Sequence, residues 1–389
     1  MDNEKLEDRE TTNNGKLSID RVRPFALFAA LIIIWIVFQT QTNGIFMSVR
    51  NLSNLSRQMA ITAIIAIGMV QIIIATHIDL SVGATVALSG GIIAILTVSY
   101  NMNPLIAVLI AMLAGGVIGI VQGYWVAYRQ VPAFIVTLGG QMIIRGVVLY
   151  MTRGTTIPIG DPLLLAIGTQ ELASVAGYAS AAISAIIYLV VSIRGRRAKI
   201  KHGFKVQPIQ FEIIRHVLVV GAIAAFTIAM NAFRGIPYAV VALILLVVFF
   251  TFMLKYTQFG RQIYAIGGNN RAARYSGINV RTVTLKVFII NSLLSAFAGF
   301  VLVSRLGGST AGAGMGFELD AIAACIIGGT SFAGGKGTVA GAMLGALIMA
   351  SIDNGMSLMN APSSWQLIIR GSILIVAVWF DIANKDKAK

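Results

Sequence analysis

The stretch "MAITAIIAIGMVQIIIATHIDLSVGATVALSGGIIAILTVS", residues 59–99, consists of two apolar runs around a short polar interruption. The runs cover residues 59–76 and 84–99, and each is close to the roughly 20 apolar residues that a helix needs to cross a bilayer. A soluble fold rarely contains uncharged runs of this length. The stretch therefore predicts two membrane helices, with His77 and Asp79 in the interruption between them.

The rest of the chain repeats this pattern. Of its 389 residues, 57% are hydrophobic and 12% are charged, whereas soluble domains have about 25% charged residues. We therefore expect an all-α polytopic membrane protein with about 10–12 transmembrane helices, glycine-broken helices and a faint internal repeat. The candidate spans are residues 24–40, 59–76, 84–99, 105–126, 131–151, 173–193, 214–230, 237–254, 286–304, 319–333, 338–356 and 364–381.

The basic residues are distributed unevenly between these spans. If the chain starts in the cytoplasm and alternates, most of its 30 Lys and Arg residues face the cytoplasm, as the positive-inside rule predicts. This topology places both termini inside and accounts for the net charge of +15, so we expect no nucleic-acid partner. The exceptions are five arginines on the opposite side and two within spans: Arg50, Arg57, Arg153, Arg234, Arg305, Arg145 and Arg370.

The spans predict one transmembrane domain, residues 24–382, between a cytoplasmic polar tail (1–23) and a short cytoplasmic tail (383–389). The first span lacks a small-residue cleavage site, so we expect an uncleaved anchor instead of a signal peptide. Two of the spans form an apparent inserted hairpin, about residues 173–230. This hairpin brackets the basic loop "RGRRAKIKHGFK", residues 194–205.

The sequence carries no motif for catalysis or for nucleotide binding. Cys325 is the only cysteine, which excludes an intrachain disulfide and a cysteine-built metal site. The glycine-rich stretch 328–338 fails as a phosphate-binding loop, because Thr330 replaces its first glycine and Gly337 replaces its final hydroxyl residue. We therefore expect no enzyme activity, no metal and no bound cofactor, with any ATP and Mg²⁺ on a partner chain.

Two acidic motifs lie at comparable places in the two halves of the chain. Asp79 in "HIDLSVG" and Asp320 in "ELDAIAACIIGG" each follow an apolar residue and precede a glycine pair. Transporters often place corresponding broken helices of two halves around the substrate pathway. The candidate residues of a translocation path are Asp79, Ser81, Gln141, Glu318 and Asp320.

Other interpretations of these charged groups stay open. Acids near a span end can cap a helix N-terminus, and His77 beside Asp79 suggests a pH switch or a metal pair. His77 and Asp79 alone supply too few ligands for a metal site. Arg145 and Arg370 can pair with acids such as Asp353 or Asp79, or reach a lipid headgroup.

The stretch "GRQIYAIGGNNRAARYSGINVRTVTLK", residues 260–286, is basic and contains no acid. Its asparagine pair is suited to capping a helix, residues 271–276 can form one and a half turns, and Gly277 suits a left-handed stop. We expect a short ordered helix at the cytoplasmic surface, and the alternatives are an ordinary basic loop or a lipid-headgroup patch. The side chains available for docking in a protein groove are Ala272, Ala273, Tyr275 and Ile278.

At these residues the sequence resembles the permease subunits of bacterial ABC importers for monosaccharides, the ribose, arabinose, galactose and xylose group. The resemblance covers residues 45–382 and excludes the first 24 residues. It rests on motifs that occur in register: "RQMAITAIIAIGMVQIII", "IDLSVG", "VPAFIVTLGG", "GRQIYAIGGNNRAARYSGINV", "ELDAIAACIIGGTSFAGGKGTVAGA" and "DNGMSLM".

The resemblance implies transport across a bacterial inner membrane. A periplasmic binding protein would deliver sugar, this chain, with a second permease copy, would form the path, and a separate ABC ATPase would drive alternating access. Membrane lipid would surround the spans. In such permeases a cytoplasmic coupling helix enters a groove of the ATPase, and the matching positions are Gly267, Gly268, Asn269, Asn270, Arg271, Ala272, Ala273, Arg274 and Gly277.

The substrate expectation also comes from resemblance. Xylose-type permeases are similar in having an inserted pair of spans, which makes xylose the expected sugar. His77 is a departure, because the family has glycine or an acid before "IDLSVG". The rival function is an ion-coupled secondary transporter of a small polar solute, suggested by Asp79, Glu318 and Asp320, whose positions near span ends argue against it.

Overall fold

The computed structural model describes residues 19–204, 206 and 208–386. These residues form an almost entirely helical structure with four two-residue strands, which confirms the predicted fold class. The elements in chain order are α1 (Ile19–Gln41), α2 (Val49–Ile74), α3 (Val82–Val98), α4 (Pro104–Ala127), α5 (Ala133–Thr152), β1 (Ile157–Pro158), α6 (Pro162–Thr169), β2 (Glu171–Leu172), α7 (Ser174–Lys201), α8 (Ile209–Asn231), β3 (Ile236–Pro237), α9 (Tyr238–Tyr256), α10 (Gln258–Gly268), α11 (Asn270–Tyr275), α12 (Val280–Leu306), β4 (Gly308–Ser309), α13 (Phe317–Ile327), α14 (Val339–Leu358) and α15 (Ser363–Asp386).

Nine helices in the described part of the chain are long and apolar enough to cross a membrane. Most predicted spans correspond to one long helix each, but the predicted span 319–333 does not. There the structure has α13, an 11-residue helix that ends before Gly328. A helix of that length is about 16 Å long, roughly half the hydrocarbon thickness, so α13 cannot cross alone.

The crossing helices connect at two opposite ends of the molecule. One end, here called the strand end, carries α6 and two antiparallel pairs, β1 with β4 and β2 with β3. The other end, here called the basic end, carries α10, α11 and the C-terminus of α2. The backbone amide of Gly335 donates to the carbonyl oxygen of Ile74 there (3.0 Å), which brings the turn before α14 to the same end.

The centre of the bundle is built from α2 and α12, the two most buried spans. Helix α4 runs antiparallel to α12 and packs against it through Gly115, Gly119 and Gly123. A Cβ at Gly119 would overlap the backbone of Ile289. Such glycines let backbones approach closely, and this close packing replaces the hydrophobic drive that is missing in lipid. Cys325 of α13 is also buried here, with its thiol donating to the carbonyl oxygen of Ala66 (3.4 Å).

Two crossing segments are broken in the same way. In the first broken segment, residues 75–98, a non-helical part (75–81) leads into α3. In the second broken segment, residues 308–327, a mostly irregular part (308–316) leads into α13. The first turn of α3 meets the irregular part of the second segment, because Gly83 packs against the carbonyl oxygen of Gly314 and Gly314 against that of Gly83. The N-termini of α3 and α13 therefore lie side by side inside the bundle.

The inserted hairpin, α7 with α8, stands at the periphery. Only 6% of the apolar window of α7 and 11% of that of α8 are buried. The predicted basic loop 194–205 is mostly helix, because α7 continues to Lys201 and makes the cations of residues 194–201 part of its last two turns. The helix continues because the segment lacks glycine and proline after Gly195 until Gly203.

Candidate functional site

Asp79 lies in the irregular part of the first broken segment and is fully buried. Its Oδ1 accepts hydrogen bonds from the backbone amide (2.8 Å) and the hydroxyl (2.7 Å) of Ser81, and its Oδ2 accepts one from the amide of Asn291 (2.8 Å). An aspartate bonded two residues ahead in the chain makes a local turn that starts a helix. Asp79 therefore both begins α3 and attaches it to α12, and both of its oxygens are satisfied.

Gln141 and Glu318, predicted from distant parts of the sequence, lie in contact. Nε2 of Gln141 donates to Oε1 of Glu318 (3.1 Å), whereas Oε2 of this mostly buried glutamate has no hydrogen-bond partner among the described residues. Gly83 of the first broken segment packs directly against the Glu318 carboxylate. An unpaired and buried acceptor oxygen therefore lies where the two broken segments meet.

Arg145 supports the irregular part of the second broken segment. Its guanidinium donates to the carbonyl oxygens of Ala311 (3.1 Å) and Ala313 (2.7 Å). Non-helical backbone inside a membrane is tolerated only where its polar groups find partners or water. The sequence alone did not identify a partner for Arg145. In the structure, it donates hydrogen bonds to backbone carbonyl oxygens and forms no contact ion pair with any described residue.

Asp320 is paired with the second in-span arginine. Nη1 of Arg370 lies 3.5 Å from Oδ2 of Asp320, and its Nε donates to Oδ1 of Asp353 (2.8 Å). Asp320 is 1% exposed, and neither of its oxygens accepts a hydrogen bond from the described residues. One arginine of α15 thus contacts two acids, one on α13 and one on α14, and links these three helices.

His77 does not pair with Asp79. Its ring packs against that of Phe288, with centroids 5.9 Å apart, while Asp79 is bonded to Ser81 and Asn291. No group of three His, Cys, Asp or Glu side chains within the described residues could hold a metal ion. In the first turn of α13, the amides of Phe317 and Leu319 already donate to the carbonyl oxygens of Gly314 (3.2 Å) and Gly316 (3.0 Å).

At the basic end, α11 has the predicted form. The side chain of Asn269 accepts a hydrogen bond from the amide of Ala272 (3.0 Å), and Gly277 has a positive φ of 82°. Tyr275 is 91% exposed, and Arg271, Ala272 and Arg274 are also exposed. The expectation that Ala273 is available for docking is wrong, because this residue is buried within the chain.

The helix before it, α10, joins both broken segments at a glycine junction, defined here as Gly267, Gly334, Gly335 and Ile74. A Cβ at Gly267 would overlap the carbonyl oxygen of Ile74 and approach the backbone of Gly335. Burial raises the pKa of Tyr264, whose hydroxyl donates to the carbonyl oxygen of Gly337 (2.7 Å). The last residue of α2, which precedes the first broken segment, and the turn that follows the second thus touch the same helix.

A cavity of 370 Å³ lies next to α11 at the basic end. Its walls include Asn270 and Arg274 of α11, Arg281 of α12, and His77 and Ile78 of the first broken segment. The proximity of α11 to the broken segment was not evident from the sequence, because their separation of nearly 200 residues leaves no periodic signal. Both elements line this cavity, so a displacement of α11 would change its shape beside residues 77–78.

A second polar cavity, of 640 Å³, opens at the strand end. Four of the five arginines predicted on this side line it, namely Arg50, Arg57, Arg234 and Arg305. Arg57 is paired with Glu171 (2.5 Å), and Nη2 of Arg305 donates to the side-chain oxygen of Asn54 (3.2 Å). The sequence indicated the side of these arginines but not their convergence, which makes a concave and strongly cationic surface.

Comparison with known proteins identifies the family to which the chain belongs. A model of the family described as "Branched-chain amino acid transport system / permease component" matches residues 51–378. The xylose transport system permease protein XylH of Escherichia coli K12 is 44% identical over 94% of this chain and 93% of its own length. XylH of Haemophilus influenzae is 42% identical over 96% of this chain and 99% of its own length. The ribose import permease protein RbsC of E. coli K12 is 34% identical over 92% of each chain.

No solved structure matches this chain. The family match covers most of the residues between the N-terminal segment and the end of α15, including both broken segments and α11. The relatives are permeases and match over almost their whole length. The chain is therefore a multi-pass membrane protein that belongs to the family of branched-chain amino acid transport system permease components.

Proposed function

We propose that this chain is the membrane-spanning permease subunit of an ATP-driven importer of xylose. The observation that carries the proposal is the glycine junction, which links residues flanking the two broken segments to an exposed basic helix. The relatives named as xylose permeases, at 42–44% identity over nearly the whole chain, support the choice of sugar. The chain itself performs no chemical reaction and provides a gated path.

The path we propose runs where the two broken segments meet. A neutral sugar is recognised by hydrogen bonds, and Glu318 offers a free acceptor oxygen beside the amide of Gln141. Asp79 and Ser81 shape the wall of this path, and Asp320 stabilises it through Arg370. Alternating access requires the irregular part of the second segment to change its backbone arrangement, which glycines with positive φ, such as Gly314 and Gly316, allow.

The partner at the basic end is an ABC ATPase, which carries the ATP and Mg²⁺. Residues 267–277 supply the helix that enters its groove, with Arg271, Arg274 and Tyr275 as the contacting side chains. The resulting movement passes through α10 to the glycine junction. This end then faces the cytoplasm of a bacterial inner membrane, with both termini on the same side, in agreement with the positive-inside rule.

The partner at the strand end is a sugar-binding protein, and a second copy of the permease completes the assembly. The arginine-lined cavity of 640 Å³ suits acidic side chains on the docking face of that protein. The double variant Arg50→Glu and Arg234→Glu should lose stimulation by the loaded binding protein while ATP hydrolysis without it persists. Arg153→Glu lies at the same end but outside the cavity, and it should keep the stimulation.

Reconstitution tests the function as a whole. The permease, its cognate ATPase and its binding protein are placed in liposomes, and ATP hydrolysis and uptake are measured with xylose, ribose, arabinose or a hexose in turn. We expect xylose to stimulate both activities. Stimulation by another sugar but not by xylose would overturn the substrate assignment and leave the transport class intact.

The rival function, ion-coupled transport, remains distinguishable by experiment. It needs an acid that can bind and release the coupling ion, and Glu318 with its free oxygen is the best candidate within the described residues. Against it, Asp79 is fully hydrogen-bonded and Asp320 is paired with Arg370. Uptake that collapses with an ionophore while ATP is held constant would favour this rival.

A further inference from the structure

The inserted hairpin is attached to the rest of the molecule at one end only. At the strand end, β2 pairs with β3, Arg57 is bound to Glu171, and the hydroxyl of Ser56 lies 3.8 Å from the sulfur of Met230. These contacts involve the beginning of α7 and the end of α8. They fix the base of the hairpin against α2.

Towards the basic end, the hairpin is held by contacts between its own two helices. The guanidinium of Arg196 pairs with Glu212 (2.6 Å), and Tyr188 lies 3.2 Å from the ring of His216. The large apolar side chains of this half are mostly exposed, for example Val191 at 61% and Val217 at 65%. In a membrane, these faces are covered by lipid acyl chains.

Even near its base, the hairpin leaves a gap against the bundle. An apolar cavity of 610 Å³ separates α8 from α2 and α9, with Phe226, Leu55 and Leu243 in its walls. A cavity of this size between membrane helices fills with acyl chain, because no other solvent is present at that depth. The hairpin is therefore an arm that stands in lipid.

The tip of this arm is unusually basic. With 28 residues, α7 is about 42 Å long, well beyond the roughly 30 Å of the hydrocarbon layer. Its last two turns lie outside that layer and carry Arg194, Arg196, Arg197, Lys199 and Lys201. The acid that faces them, Glu212, is bound to Arg196, so a large positive charge remains at the depth of the lipid headgroups.

We propose that the end of α7 binds anionic phospholipids, with Arg194, Arg197 and Lys201 holding headgroup phosphate on one face of the helix and Lys199 on the other. Charge complementarity selects the headgroup, and the apolar faces of α7 and α8 take the acyl chains. Each basic side chain near an anionic membrane surface strengthens binding about fivefold. Bound anionic lipid then holds the arm at a fixed depth where the protein itself provides no support.

The test compares lipids retained by the purified full-length permease. Samples are equilibrated with an equal mixture of phosphatidylglycerol and phosphatidylcholine, and native mass spectrometry counts the bound molecules of each. The wild type should retain phosphatidylglycerol in excess. In the fourfold variant Arg194→Gln, Arg197→Gln, Lys199→Gln and Lys201→Gln, this preference should fall by a factor of about 600.

The matched control neutralises three exposed arginines at the opposite end: Arg50→Gln, Arg153→Gln and Arg234→Gln. It should keep the wild-type preference, and equal melting temperatures for all three proteins show that folding is unchanged. A fourfold variant that still prefers phosphatidylglycerol would overturn the proposal. A second experiment adds inorganic phosphate to the lipid-bound protein. If phosphate at the same concentration as the lipid displaces it, the site binds anions in general and the proposal that lipid is the ligand is overturned.

Discussion

The two broken segments are built alike but satisfy their acids differently. In the first, both carboxylate oxygens of Asp79 accept hydrogen bonds, from Ser81 and from Asn291 of the central helix. In the second, one oxygen of Glu318 and both oxygens of Asp320 accept none from the described residues, and Asp320 depends on an arginine 3.5 Å away. We infer that the first segment is a fixed wall of the path and that the second is the part that rearranges.

The largest effect is expected from removing the arginine of the second segment. Arg370→Ala leaves Asp320 as a buried charge without its partner, which costs about 3–5 kcal/mol. We expect a correspondingly large loss of thermal stability in detergent. The triple variant Asp320→Asn, Asp353→Asn and Arg370→Met should recover most of it, because it also removes the second acid that Arg370 binds. An Arg370→Ala protein as stable as the wild type would contradict the pairing.

In the first segment, Asp79→Ala should cost about 2–3 kcal/mol, because the amides of Ser81 and Asn291 lose their acceptors. Transport by the fraction that remains folded should be close to normal, since a fixed wall contributes shape and no movement. The measurements are thermal unfolding and uptake normalised to folded protein. A stable Asp79→Ala variant that transports poorly would reverse the roles assigned to the two segments.

A variant at the glycine junction tests whether α10 transmits movement to the substrate path. A methyl group at Gly267 would overlap the carbonyl oxygen of Ile74, and such overpacking costs about 1–3 kcal/mol. We expect Gly267→Ala to hydrolyse ATP with the ATPase bound but to transport less sugar per ATP. The neighbouring control, Gly268→Ala, meets no atom within 4 Å and should remain coupled. Equal coupling in both variants would exclude the junction as the link.

The smallest effect on stability is expected at Glu318. Glu318→Gln keeps the shape of the side chain and the acceptor for Gln141, so it should change the free energy of unfolding by about 1 kcal/mol or less. It should raise the sugar concentration for half-maximal uptake about tenfold, because a charge-assisted hydrogen bond to a sugar hydroxyl is weakened by roughly 1.4 kcal/mol. An unchanged half-saturation value would place the sugar elsewhere.

Local signals explain what the sequence could predict. The long spans follow from unbroken apolar runs, and α11 follows from Asn269 before it and Gly277 after it, since caps act within one turn. The same logic failed for α13, whose apolar run continues into a glycine turn, and it overlooked α6 and α10, which are only 8 and 11 residues long.

Contacts between distant residues were harder to predict. Gln141 and Glu318 were both chosen from the sequence, yet nothing in their spacing indicated that they touch across 177 positions. Helix rotation and packing also determine the pairing of Asp320 with Arg370 and the convergence of four arginines at the strand end. The periodicity of apolar residues does not define either of them. The structure was needed to separate the satisfied acid from the unsatisfied ones.

The thiol of Cys325 has a practical consequence for studying these movements. It is the only cysteine of the chain, and it is fully buried between α13 and α2. Water-soluble thiol reagents should therefore leave the native protein unlabelled. Spectroscopic probes can be attached at chosen exposed positions, such as Ala272 and Arg153, while the native background is kept intact.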